Sequence, residues 1–248
     1  MSRESISVVV TCYNEEDYIG KALDSVLNQS AFDRIGEVLV IDDGSEDGSA
    51  DIIDRYESNN EKIKGIFQQN KGLSSARNEG IRESNHKYIA LLDGDDMWRR
   101  NKIKIQHNYA KKLPNVGLFY TNVIKFNSGK KYRKANSYLH YQPPSQILKR
   151  YFVNKGPVIP STCFLRKECF ENVGLFDVRL KKREEVDMWL RIFSTYRVQH
   201  IDDYLVYKRE RKDSLGSNGP ETVRYTKKVI EKSVNRFQQL EPLKHKRL

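Results

Sequence analysis

Two carboxylates, Asp93 and Asp95, flank Gly94 directly after the apolar run Tyr88-Ile89-Ala90-Leu91-Leu92. In extended chain, residues two apart point the same way, and glycine lets the backbone bend closely around a ligand. Adjacent carboxylates repel unless a cation lies between them. Mn2+ or Mg2+ suits such a pair, because these ions take one or two carboxylates and complete their shell with phosphate oxygens and water. The same residues could equally be a capping cluster ahead of Met97-Trp98. A second acidic pair, Glu184-Glu185, precedes Val186, Trp189, Leu190 and Phe193, whose spacing is that of an amphipathic helix. Such a pair can supply a general base, or it can simply be a first turn favoured by the helix dipole.

The elements that must position these groups alternate regularly. Ile6 to Val10 is a continuous β-branched run, as expected of a strand buried on both faces in a parallel sheet. Ile19, Ala22, Leu23, Val26 and Leu27 follow at helical spacing. Strands are then expected at Glu37–Ile41, Ile63–Phe67 and Tyr88–Leu92, with helices around Ile52–Tyr56 and Ser74–Glu83. Residues 5–97 thus read β-α-β-α-β-α-β, which implies right-handed crossovers and helices on both faces of a mostly parallel sheet. Ligands of such sheets sit outside the carboxyl ends of the strands. Tyr13-Asn14-Glu15, Asp42-Asp43, Gln69-Asn70-Lys71 and Asp93-Gly94-Asp95 each follow a strand, so all four clusters should meet on one rim.

The second half is less regular. A helix is expected over Asn101–Lys112, a strand over Val116–Phe126, and a basic hairpin or loop over Lys125–Lys134. Further helices should run from Pro144-Ser145 to about Tyr151, through Val186–Phe193, and over Thr222–Leu240 with Val223, Ile230, Val234 and Phe237 on one stripe. No apolar run approaches the ~20 residues of a membrane span. Cys12, Cys163 and Cys169 form no disulfide or metal-binding pattern, which fits a reducing cytosol. The net charge is +11, which attracts phosphorylated small molecules, anionic lipid or nucleic acid without choosing among them.

Taken together, Thr11-Cys12-Tyr13-Asn14, Ile41-Asp42-Asp43-Gly44-Ser45, Asn70-Lys71-Gly72-Leu73-Ser74-Ser75-Ala76-Arg77-Asn78-Glu79-Gly80 and Leu92-Asp93-Gly94-Asp95-Asp96 resemble the family 2 glycosyltransferases in order and spacing. The resemblance continues through Val173-Gly174-Leu175-Phe176-Asp177 and Arg183 to Arg191. It implies a GT-A fold: an α/β, Rossmann-like, mostly parallel central sheet with helices on both faces and a C-terminal helical extension. The expected organisation is a domain over 1–215, with a nucleotide-binding half to about 97 and an acceptor half beyond it, followed by an extension over 216–248.

The resemblance further implies inverting transfer of a sugar from a nucleotide diphosphate donor, most often a UDP-sugar, to an acceptor hydroxyl. Thr11, Tyr13 and Glu15 would hold the base and ribose. Asp43, or else Asp42, would contact the base, and Lys71 and Arg77 would lie near the donor. Asp93 would contact ribose or sugar and share with Asp95 a Mn2+ or Mg2+ ion, with Gly94 between them against the donor. Glu185, beside Glu184, would be the base. The family commonly has Asp where Glu185 stands, and a metal-ligating His where Tyr207-Lys208-Arg209-Glu210-Arg211 places Arg211. Arg cannot ligate a metal but can bind a diphosphate. Arg209, Arg211 and Lys212, before Ser214–Gly219, could form a lid.

The partners expected are a nucleotide-sugar, a glycan or lipid-linked acceptor and an anionic inner leaflet met peripherally from the cytoplasm through Lys244-His245-Lys246-Arg247, with no nucleic acid. The competing readings are a nucleotidyltransferase, which would want a Gly-rich phosphate loop after the first strand, and a module binding anionic surfaces or nucleic acid, for which no recognition signature is present.

Overall fold

A computed structural model describes residues 5–127, 133–135, 144–154, 158–211 and 219–247. The chain opens with β1 (Ile6–Cys12), α1 (Ile19–Leu27), β2 (Ile35–Asp42), α2 (Ser49–Asn59), β3 (Ile63–Phe67), α3 (Leu73–Glu83) and β4 (Tyr88–Asp93). Then come β5 (Met97–Trp98), α4 (Lys102–Lys112), β6 (Val116–Phe126), β7 (Arg133–Ala135), α5 (Pro144–Asn154), β8 (Phe164–Arg166) and α6 (Glu168–Val173). The chain closes with α7 (Glu184–Thr195), β9 (Arg197–Arg209), α8 (Pro220–Arg236) and α9 (Lys244–Arg247).

One sheet runs β3-β2-β1-β4-β8-β6-β9-β5, with β7 added to β6. The first four strands are all parallel, as the β-α alternation requires. Beyond β4 the sheet is mixed: β8 lies antiparallel between β4 and β6, while β9 runs parallel to β6. The basic segment after β6 returns as β7 in an antiparallel pair; its residues 128–132 lie outside the described residues.

The pleat of β1 explains the layering. Val9 points into one core with Leu39, Ala76, Trp189 and Phe193, whereas Val8 and Val10 point into the other with Leu23, Val26, Ile53 and Ile103. Helices α3, α5, α6, α7 and α8 thus cover one face, and α1, α2 and α4 the other. Each fully buried aliphatic side chain contributes roughly 1.5–3 kcal/mol, enough to fix both layers around the strands. Within α8 the expected stripe holds at Ile230 and Val234, but Val223 is exposed. The buried face of this helix centres on Thr222, Tyr225, Val229 and Ser233, and Val223 sits at its margin. Among the described residues, no helix is long and apolar enough to cross a membrane. The three cysteines are buried and unpaired.

Candidate active site

The carboxyl ends of β1, β2 and β4 meet at a rim built by short backbone contacts. The Gly94 N–H donates to the Thr11 carbonyl at 2.9 Å, joining the Asp93–Asp95 turn to the end of β1. A Cβ on Gly94 would lie 2.3 Å from Glu15 Oε2 and 2.9 Å from the Thr11 oxygen, so only glycine fits. Asn14, at φ 51°, and Glu16 are tied to the start of α2. The Asn14 N–H donates to Ser45 Oγ, the Glu15 N–H to Ser49 Oγ, and Asn14 Oδ1 accepts from the Glu46 N–H.

Asp43 is buried at the carboxyl end of β2. Its Oδ1 accepts from Gln68 Nε2 and the Lys71 N–H, and its Oδ2 accepts from the Gly72 N–H at 2.7 Å. These bonds shape the turn at Gly72, whose φ of +87° favours glycine, and they start α3. Lys71 itself is exposed, as is Tyr13 at the mouth of the rim. Asp42 accepts from the Ser45 N–H.

Arg77, on the first turns of α3, is 3% exposed and forks between two carboxylates. One terminal nitrogen donates to Asp93 Oδ1 and the other to Glu184 Oε1, both at 2.7 Å. The acidic pair after β4 and the acidic pair opening α7 are therefore parts of one site. Arg77 stays protonated because Asp93 and Glu184 outweigh the cost of its burial. Burial alone would raise Asp93, but Arg77 and then Lys208 hold it below its ordinary value. Glu184 is pushed up to about 7 by burial and by the Glu185 charge, against the pull of Arg77. Glu185 is half-buried, and among the described residues its carboxylate takes no ion pair.

The end of β9 brings cations to the same rim. Arg211 lies 3.3 Å from Asp95 Oδ2 and 3.6 Å from Glu15 Oε1. Arg209 is stacked between the rings of Tyr18 (4.4 Å) and Phe126 (4.6 Å), and its Nε donates to the Asp95 carbonyl. Asp96 is fully buried. It accepts from the Ser161 hydroxyl at 2.7 Å and from the Arg209 N–H at 2.9 Å, and Lys208 stands 3.9 Å away. Asp96, Lys208 and Ser161 are neighbours of the rim that sequence reasoning did not single out. The one available signal was the fourth position of the Asp-Gly-Asp-Asp run. Of the proposed lid, Arg209 and Arg211 pack on the rim, and Lys212 to Asn218 lie outside the described residues.

Among the described residues, rim carboxyls outnumber the cations facing them. Burial and the Asp93 charge raise Asp95, and burial with the Asp95 charge pushes Glu15 up to about 9. Burial, opposed by Lys208 and reinforced by Asp95 and Asp93, takes Asp96 to about 7. This deficit of positive charge suits a divalent cation. Among the described residues no group of three or more His, Cys, Asp or Glu could enclose one. An ion at Asp95 and Asp93 would need phosphate oxygens and water to complete its shell, as Mg2+ commonly does.

The raised carboxyls carry a stability prediction. Glu15, Asp96 and Glu184 bind their protons more tightly folded than unfolded. Their contribution is present below the ordinary carboxylate range and is lost as pH rises through about 7 for Asp96 and Glu184 and about 9 for Glu15. The expected thermal midpoint falls between about pH 5 and pH 9, and Mn2+ with UDP flattens the fall. A midpoint rising over that range in a scanning fluorimetry series contradicts this electrostatic picture.

The comparisons with known proteins agree with this geometry. The profile of Glycosyl transferase family 2 matches residues 7–174. EpsJ of Bacillus subtilis, an uncharacterized glycosyltransferase, is 30% identical over 217 residues, covering 85% of this chain and 62% of its own. TuaG of the same organism, named as a candidate glycosyltransferase of teichuronic acid biosynthesis, is 37% identical over 102 residues, covering 41% of this chain and 40% of its own. The chain spans between 30% and 63% of the Rickettsia bellii, prowazekii and typhi glycosyltransferases it also matches. Its fold is that of S. aureus TarS 1-349 solved with UDP-GlcNAc, at a TM-score of 0.76, 18% identity and coverage of 93% of this chain and 67% of that one. With its sheet, its rim and its sequence all in agreement, the chain belongs to glycosyl transferase family 2.

Proposed function

We propose that this chain is a metal-assisted, inverting glycosyltransferase moving a sugar from a nucleotide diphosphate donor, a UDP-sugar, to an acceptor hydroxyl. The observation that carries the proposal is the Arg77 fork, which joins the Asp93–Asp95 turn to the Glu184–Glu185 turn in one site. The UDP-GlcNAc of the TarS structure supports the donor class. The TuaG relative supports an acceptor in polysaccharide synthesis.

In this mechanism Thr11, Tyr13 and Glu15 frame the base and ribose subsite, and Asp43 acts through the Lys71-Gly72 turn that it shapes. Asp95 and Asp93 would hold Mn2+ or Mg2+, which would supply positive charge to offset that of the departing diphosphate. Arg211, beside Asp95, reaches the same diphosphate. Glu185 takes the proton of the acceptor hydroxyl. The acceptor oxygen then bonds to the anomeric carbon on the face opposite the diphosphate, whose C–O bond breaks. Glu184 is occupied by Arg77 and orients the turn. The acceptor is a glycan or lipid-linked hydroxyl reached from the cytoplasm, with exposed His245 and Lys246 beside an anionic leaflet and nucleic acid not a partner.

A panel of nucleotide-sugars read by thermal shift, with and without Mn2+, tests this reading. A UDP-sugar should stabilise the native protein, and Mn2+ should enlarge the shift. Asp95→Ala should lose the Mn2+ increment. A panel with no stabilising nucleotide, or an unchanged increment in Asp95→Ala, contradicts it.

A further inference from the structure

The turn bearing Glu184 and Glu185 is reached by an irregular segment that begins at Asp177. Arg183, just ahead of α7, sits at φ 64°, a left-handed conformation that a side chain of its size rarely adopts. Something must hold it there. Arg77 does so at Glu184, Ser74 Oγ of α3 donates to the Leu180 carbonyl at 3.5 Å, and further ties come from α8. Lys232 of α8 places its ammonium 2.7 Å from Asp177 Oδ2 and 2.8 Å from Asp187 Oδ1. Asp177 is where the segment starts, and Asp187 lies in the first turn of α7. One cation thus pins both ends of the segment to the same point. Lys182, in its middle, pairs with Glu221 in the first turn of α8 at 3.3 Å. Val229, Ile230 and Val234 of α8 share a core with Met188, Trp189 and Phe193 of α7, which makes the anchor firm.

We infer that α8 belongs to the catalytic apparatus and that Lys232 is a positioning residue, tying residues 177–187 into the shape that presents Glu185. The inference rests on the reading of Glu185 as the base. The Lys232 ammonium offsets repulsion between two nearly buried carboxylates. Each of them keeps a second cation without it: Arg179 on Asp177, and Arg191 on Asp187. Arg191 also donates to the carbonyls of Val173, Gly174 and Leu175, so the start of the segment remains anchored. Removing the Lys232 charge should therefore loosen the catalytic turn without unfolding the domain.

The test compares Lys232→Met and Lys232→Arg with the native protein, using UDP-GlcNAc and Mn2+ as the probe. Donor affinity by calorimetry should be unchanged in both. Turnover at saturating donor, read as UDP release, should fall about tenfold to hundredfold in Lys232→Met, the range for a catalytic group displaced by about an ångström. Lys232→Arg should recover most of it. In hydrogen exchange, amides of residues 180–187 should exchange faster in Lys232→Met and at the native rate in Lys232→Arg. Native turnover and native exchange in Lys232→Met overturn the inference, as does a turnover loss matched by an equal loss of donor affinity. If the native protein binds no nucleotide-sugar, the proposed function fails instead. The exchange comparison still decides whether Lys232 orders the turn.

Discussion

Glu185→Gln is expected to bind UDP-GlcNAc with Mn2+ as the native protein does, and to release UDP about 10²- to 10⁴-fold more slowly, the usual worth of a general base. The expectation comes from the contrast between the two acids opening α7. Glu184 is buried and its carboxylate accepts from Arg77 at 2.7 Å, which makes it a structural counter-ion. Glu185 is half-buried and takes no ion pair among the described residues, which suits the role proposed for it. Glu184→Gln should behave differently: it weakens the Arg77 fork and lowers stability before it touches the chemical step. Glu185→Asp should retain more turnover than Glu185→Gln, because it shortens the base by one methylene and keeps its charge. Equal turnover in Glu185→Gln and the native protein would move the base elsewhere.

Arg77→Met should be the most damaging single substitution to the fold of the site. Among the described residues Arg77 is the one ion-pair partner of both Asp93 and Glu184, and it is buried together with Glu184. Breaking a buried pair by removing one partner costs about 3–5 kcal/mol, because the remaining charge is left uncompensated. For a domain of this size that corresponds to a fall of roughly 6–20 °C in Tm. Donor affinity should fall as well, since Asp93 loses its anchor. Arg77→Lys should not rescue it: a single ammonium cannot reproduce the fork that spans two carboxylates. A Tm within a degree or two of the native value would show that the fork is dispensable.

The parts of the fold that the sequence made plain are those with sustained patterns. Ile63–Phe67 and Val116–Phe126 are strands over the residues their apolar runs mark, and the β-α alternation to Asp93 carries the parallel order. β5 and β8 are too short for any periodicity to register. β9 is long, but exposed Asp202 and Asp203 interrupt its apolar pattern. Those missed strands turn the second half of the sheet mixed and bring Lys208, Arg209 and Arg211 onto the acidic rim.

Site residues were legible as types near a strand end, and much less so as partners. Arg77 and Glu184 are separated by 107 positions, and no local signal joins them. Asp43 stands where a base contact was expected, and its oxygens also accept from the turn before α3. Only backbone geometry distinguishes those uses of a carboxylate. The +11 charge, read first as a preference for anions, takes a local meaning: among the described residues the rim sets Arg77, Lys208, Arg209 and Arg211 against Glu15, Asp93, Asp95 and Asp96.

One titration is decisive for the proposed nucleotide-sugar site. UDP is titrated into the native protein by calorimetry, once with Mn2+ and once with a chelator. Binding that is saturable with Mn2+, much weaker without it, and weakened by Asp95→Ala is the result expected of a nucleotide-sugar site at this rim. Absence of UDP binding under both conditions, or binding indifferent to both Mn2+ and Asp95, contradicts it.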